Sequence, residues 1–150
     1  MDTCLIRNGT QRDKDAVLRM AKKFYSECGY EAHIEYDYDS CSALYEMCLD
    51  MGLCSVAEVD GELVGFVIGL KSPFLMNQNY SIGAEVAWWV EPEHRGLGLK
   101  LLRHIEQSAK DQGLKMWSMM CLESMEPEKV SEIYLKSGYK PTERSFTRYH

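Results

Sequence analysis

Val86-Ala87-Trp88-Trp89-Val90 is an apolar run that gives way to Glu91–Lys100, a turn with Pro92 and glycines at 96 and 98, and then to a segment of helical period from Leu101 to Gln112. A buried strand, a glycine-bearing turn and a helix start in direct succession leave few architectures open. The helix must pack back onto the sheet that holds the strand. The same geometry makes a chemical site, because the first turn of a helix leaves backbone N–H groups unpaired and carries partial positive charge. Glycine there lets an anion approach the backbone closely, and a diphosphate suits such a turn. The spacing lacks the three glycines of the dinucleotide fingerprint and the Gly-Lys-Ser/Thr of a P-loop.

The flanking sequence fills in an α/β order. Leu5-Ile6-Arg7 reads as a first strand, and Thr10 or Asp13 as the cap of a helix with Ala16, Val17, Met20, Ala21 and Phe24 on one face, ended by Gly29. Tyr30–Asp39 reads as a loop, with Ser40 or Ser42 capping a second helix that closes at Gly52. Asp60-Gly61 between two β-rich runs predicts a hairpin. Lys71–Ser81 reads as a connecting loop, Ile82–Val90 as a strand, and Leu114–Leu122 as another, buried one. Pro127 opens a last helix that Gly138 ends, and Ser145–Tyr149 is predicted as a closing strand.

A chain of 150 residues is expected to form one domain over its whole length, 1–150. It holds no apolar run of membrane-spanning length, and its start lacks the charged and apolar regions of a signal peptide. The expectation is a soluble, cytoplasmic protein. Six cysteines at irregular spacing read as free thiols, and no Cys-x-x-Cys or His-x-x-x-His pair points to a metal. A net charge of −6 argues against nucleic acid. From Phe24 to Leu70 there is no Lys or Arg, while ten carboxylates fall in that stretch. A field of that sign attracts cations, with amines as the obvious class.

Arg95-Gly96-Leu97-Gly98 resembles the acyl-CoA pyrophosphate loop (Arg/Gln-x-x-Gly-x-Gly/Ala) of the GCN5-related N-acetyltransferases, and Ile133-Tyr134-Leu135-Lys136-Ser137-Gly138-Tyr139 resembles their Tyr-x-x-x-Gly-Phe/Tyr signature. The element order follows that family along nearly the whole chain. Two positions depart from it: Lys100 stands where the family has Gly or Ala, and Pro127 where it has Asn. A looser similarity to phage-encoded acetyltransferase-like proteins rests on the stretch from Ala84 to Gly96. The resemblance implies a mostly antiparallel mixed sheet, flanked by about four helices and splayed between its fourth and fifth strands to admit pantetheine.

It also implies acetyl-CoA as co-substrate, held by the backbone of Gly96, Gly98, Leu99 and Lys100, with Arg95 and Leu97 in the same loop. Tyr134 would be the general acid for the departing thiolate, although a tyrosine on a helix face also reads as core. Glu85 is the candidate base for the amine, with a salt-bridged strand-end carboxylate as the plain alternative. A backbone N–H near Val90, aimed by a β-bulge, would hold the oxyanion. Tyr30, Glu31, Glu35 and Tyr36 offer carboxylates and aromatic faces to an amine, or else form a solvated acidic loop. The function expected is acetyl transfer to a primary amine, on a small molecule or a protein, by direct attack in a ternary complex, with no metal. A homodimer is among the states the resemblance allows. The competing expectations are a CoA-binding module without catalysis and an acidic protein-interaction domain.

Overall fold

Helix and strand boundaries fall at residues whose backbone preferences set them. The computed structural model describes residues 3–150. β1 (Cys4–Asn8) passes through a 3-10 turn at Gln11–Asp13 into α1 (Lys14–Cys28), which Gly29 ends in the left-handed conformation. α2 (Tyr38–Asp50) leads to β2 (Cys54–Val59) and β3 (Glu62–Phe74), joined by Asp60-Gly61 with both φ angles positive, the backbone of a type I′ hairpin. β4 (Asn77–Val90) is followed by a 3-10 segment, Pro92–Leu97, and α3 (Gly98–Asp111). β5 (Trp117–Ser118) and α4 (Pro127–Lys136) complete the order.

The sheet runs β1-β2-β3-β4-β5, antiparallel except for the parallel pair β4–β5. Its two faces bury separate cores. Val17, Leu18, Met20, Tyr45 and Cys48 of α1 and α2 cover Val56, Phe66, Ile68, Ala87 and Trp89 on one face. Leu101, Ile105 and Ala109 of α3 cover Ala57, Val64, Val67 and Val90 on the other. The helix after the glycine turn is thus packed on the strand before it, as the sequence order requires.

The splay between β4 and β5 has a local cause. They pair at only two positions, Gly83↔Trp117 and Ala84↔Ser118. Trp117 lies across Gly69 and Gly83, where an added Cβ would come within 2.4 Å and 2.9 Å of its ring. At the next residue the Glu85 carboxylate accepts the Met120 N–H at 2.7 Å, taking the place of a backbone partner. From there the strands part.

Five expectations need correction. The second helix starts earlier, because Asp37 rather than Ser40 or Ser42 is its cap and accepts the Ser40 N–H at 2.9 Å. Residues 30–39 are not wholly loop, since Tyr30–Ala32 form a 3-10 turn. Residues 71–81 are mostly strand: β3 and β4 run on as a two-stranded arm that turns at Leu75-Met76, which are 83% and 88% exposed. Pro73 is tolerated there because β2 pairs with β3 only as far as Ile68, leaving that edge without a ladder to break. The buried strand at 114–122 shrinks to two residues, for the reason just given. No strand forms at 145–149, since so short a β5 presents no edge of useful length.

Arg7 ties β1 to the start of α1. Its guanidinium pairs with Asp13 at 2.7 Å and 3.0 Å and reaches Glu58 at 3.3 Å, while Asp13 also accepts the Thr10 N–H. The Arg7 hydrogen bonds hold the Asp13 carboxyl below its ordinary range, outweighing its burial. Arg7→Ala is expected to cost about 3 kcal/mol in urea unfolding at neutral pH, because it leaves Asp13 buried and ionised. A carboxyl depressed on folding contributes stability above its unfolded pKa and loses it as pH falls through the folded value. The difference between Arg7→Ala and the parent should therefore narrow on acidification.

Candidate active site

Where β4 and β5 part, a cleft of about 770 Å³ opens. Its walls are β4 from Glu85 to Val90, the start of α3, the segment Met120–Glu126 and the inner face of α4, with Phe24, Glu27 and Tyr30 at one end. Backbone alternation decides what β4 presents to it. Glu91 donates its N–H to Val64 of β3 at 2.8 Å, so the N–H and C=O of Val90 point the opposite way, into the opening. The Val90 carbonyl accepts from Arg95 Nε.

Gly98 is the first residue of α3, and no side chain caps this helix. The Gly98 N–H donates to the Arg95 carbonyl of the preceding 3-10 segment, and the first turn has no side-chain cap. A Cβ at Gly98 would lie 3.2 Å from Trp88, whose indole floors the cleft and whose Nε1 has no hydrogen-bond partner. At Gly96 an added Cβ would meet nothing within 4 Å. Gly98 is thus fixed by close approach to the tryptophan, whereas Gly96 leaves open space over the turn. Backbone donors, an apolar floor and Lys129 of α4 fit a diphosphate carrying an extended chain.

At the cleft's middle, the backbone of one residue, Met120, joins two side chains. Glu85 Oε1 accepts the Met120 N–H, and the Tyr134 hydroxyl donates to the Met120 carbonyl at 2.6 Å. Glu85 is 6% exposed and has no cationic partner among the described residues. Burial pushes its carboxyl up to about 7, against the lowering effect of the Met120 hydrogen bond. Burial also raises the Tyr134 phenol above its ordinary value, and the nearby Glu85 charge adds to the shift. The Tyr134 ring stacks obliquely on Trp88 at 5.9 Å and on Tyr139 at 5.5 Å. A buried carboxylate with a pKa raised towards neutrality, in the same cleft as a helix start, has the chemistry of a proton acceptor.

A profile described as the acetyltransferase (GNAT) family matches residues 15–134. The chain belongs to the GNAT acetyltransferase family. Solved structures share the fold at low identity. An aminoglycoside N-acetyltransferase, AAC(6')-Iy, in complex with CoA, superposes with a TM-score of 0.76 at 17% identity, covering 100% of this chain and 96% of that one. A predicted acetyltransferase with acetyl-CoA from Clostridium acetobutylicum gives 0.74 at 16%, covering 97% and 96%. A GCN5-related N-acetyltransferase from Ralstonia eutropha JMP134 gives 0.69 at 18%, covering 97% and 98%. No curated protein sequence matches the chain. The looser likeness to phage-encoded proteins is not shown by any of these.

Set in the GNAT frame, the cleft gathers Glu85, Val90, Arg95, Gly96, Gly98, Leu99, Tyr134 and Tyr30. Leu97 packs instead into the core beneath α3, and Lys100 is exposed and does not line the cleft. The departure at Lys100 therefore leaves the turn uncrowded. Arg95 is drawn to the Val90 carbonyl and lies 4.8 Å over the Trp89 ring, which makes it a brace of the loop. Glu31 and Glu35 stand exposed, outside the cleft, and Tyr36 turns inward to donate to the Leu18 carbonyl. The bulge lies at Val86 rather than near Val90: Gly69 pairs with Glu85 and Ile68 with Ala87. The extra residue lets Glu85 and Val86 both line the cleft. His104 of α3 is hydrogen-bonded to the buried Ser55 hydroxyl at 2.6 Å.

Sequence reasoning missed the Met120 peptide, because a backbone group leaves no trace in residue type. It also missed Glu27, Glu126 and Lys129, which reach the cleft only through the packing of α1 and α4. Among the described residues there is no group of three or more His, Cys, Asp or Glu placed to hold a metal, and no helix long and apolar enough to cross a membrane.

Proposed function

We propose that the chain transfers an acetyl group from acetyl-CoA to a primary amine by direct attack in a ternary complex. The observation that carries this is Glu85, a buried carboxylate with its pKa raised to about 7, in the same cleft as the start of α3. Acetyl-CoA supplies the activated thioester, and the chain's residues do the rest. Backbone N–H groups of the Gly96–Lys100 turn other than that of Gly98, which bonds Arg95, hold the diphosphate, and the Val90 N–H, which faces the opening, bonds the acetyl oxygen. An alkyl ammonium has a pKa near 10.4 and must lose a proton before it attacks. Glu85 accepts that proton. The amine nitrogen then forms the N–C bond as the C–S bond breaks with its electron pair going to sulfur. The Tyr134 hydroxyl, released from the Met120 carbonyl, gives its proton to the thiolate, and the second proton shed by the acylated nitrogen restores the phenol.

Thiol release from acetyl-CoA across a panel of primary amines tests the reading. The expected result is amine-dependent release whose kcat/KM rises with pH through an inflection near 7, since Glu85 must be ionised to act. Binding of acetyl-CoA with no release for any amine would identify a CoA-binding module instead. Tyr134→Phe is expected to lower kcat by about 10²-fold while acetyl-CoA still binds. Unchanged turnover would restrict Tyr134 to holding the Met120 carbonyl.

A further inference from the structure

A second cavity, of about 280 Å³, lies between α1, α2 and the β3–β4 face, and it shares Phe24, Tyr30 and Val86 with the main cleft. Its lining is almost entirely carbon. Three of the four tyrosines around it, all but Tyr30, have spent their hydroxyls elsewhere: Tyr36 donates to the Leu18 carbonyl at 3.1 Å, Tyr45 to the Thr10 carbonyl at 2.7 Å and Tyr25 to the Ile34 carbonyl. They present ring faces and edges, with Tyr25 and Tyr36 5.7 Å apart, centroid to centroid. No carboxylate lines this space. Glu85 stands one residue from the shared wall residue Val86, in the neighbouring cleft.

From this arrangement we infer that the acceptor is an amine carried on an apolar group, with the nitrogen at Glu85 and the apolar group in the cavity beside it. The inference rests on the acetyl-transfer reading and names the acceptor class. A polyamine whose tail entered this cavity would carry a second ammonium into a space without a counter-charge, and the desolvation of that ion outweighs what aromatic faces return. Of the carboxylates in residues 24–70, Glu27 alone reaches the main cleft and none lines this cavity, while Glu31 and Glu35 are exposed and line neither. An apolar cavity of about 150 Å³ takes up benzene, so 280 Å³ accommodates a phenyl ring on a two-carbon tether.

The test uses the full chain, with 2-phenylethylamine, ethylamine and spermidine as probes. Each amine is titrated calorimetrically in the presence of CoA and then assayed with acetyl-CoA. The expected result is that 2-phenylethylamine binds at least tenfold more tightly than either of the others and leads in kcat/KM. Ala21→Phe, which fills the cavity from α1, should lower kcat/KM for 2-phenylethylamine at least tenfold more than for ethylamine. If that variant does not fold, Cys41→Phe fills the same space from α2, and the order of binding by the parent chain decides independently. Tighter binding of spermidine, no preference among the amines, or an equal effect of the filling variant on both short and apolar amines would overturn the inference. Failure of acetyl-CoA to bind would instead defeat the acetyl-transfer reading, and saturable 2-phenylethylamine binding to the CoA-free chain would then still support an apolar amine site.

Discussion

Glu85→Gln is expected to stop turnover and make the protein more stable at alkaline pH. The loss of a proton acceptor should lower kcat/KM by about 10²–10⁴-fold, with acetyl-CoA binding retained. The gain in stability follows from the same burial that makes the carboxylate useful. In the folded chain Glu85 titrates near 7, against an ordinary value of 4.5. Between those pH values the folded state keeps a proton that the unfolded state releases, so stability falls as pH rises and the full penalty is present above 7. A shift of that size corresponds to about 3 kcal/mol. Glutamine keeps an oxygen for the Met120 N–H and carries no charge, so it removes most of the penalty. Urea unfolding at pH 8 should show Glu85→Gln more stable than the parent by about 1–3 kcal/mol, with the difference fading near pH 4.5. A variant less stable than the parent at pH 8 would mean that the ionised carboxylate holds the fold together, and its role as base would lose its support.

Gly98→Asp carries the second large effect, at the other end of the cleft. A carboxylate at the first residue of a helix is favourable to the helix itself, so α3 should remain folded. Its Cβ must push Trp88 by a few tenths of an ångström from the 3.2 Å contact. Its charge would face the space proposed for the diphosphate. Two like charges about 5 Å apart at an effective dielectric of about 20 repel by about 3 kcal/mol, a factor of about 10² in affinity. Gly98→Ala carries the steric part alone and is expected to weaken binding much less. Acetyl-CoA at a hundred times its Kd stabilises the folded state by about 2.7 kcal/mol, so the parent should melt several degrees higher with ligand. Gly98→Asp should show no such rise, and Gly98→Ala most of it. An equal loss in both would assign the effect to Trp88 packing and not to charge.

The two glycines at 96 and 98 were readable because strand, turn and helix periods meet there, and each signal reinforces the others. Asp60-Gly61, Gly29 and Gly138 were readable for a similar reason: left-handed backbone restricts the residue types that stop an element. The length of β5 was not readable. Leu114–Leu122 carries a strand's composition, but pairing stops where the Glu85 side chain takes the Met120 N–H, and that choice depends on tertiary geometry. The arm at 71–81 was hidden because Pro73 and the Asn77-Gln78-Asn79 cluster read as loop, while open edges let a strand tolerate both. In the site, Glu85 and Tyr134 were legible as residues, but not the Met120 backbone that connects them. For the acceptor, residue type pointed to charge in the 30–39 segment. Packing turned Tyr36 inward and left Glu31 and Glu35 exposed, so the aromatic half of that reading lines a cavity and the acidic half does not.

The central claim is that the opening between β4 and β5 holds acetyl-CoA. Titration calorimetry of the purified chain with acetyl-CoA tests it most directly. Saturable one-to-one binding at micromolar Kd is the predicted result. Absence of heat at millimolar ligand, from protein shown to be folded, would contradict the account at its base, and the cleft would have to be reassigned to another guest.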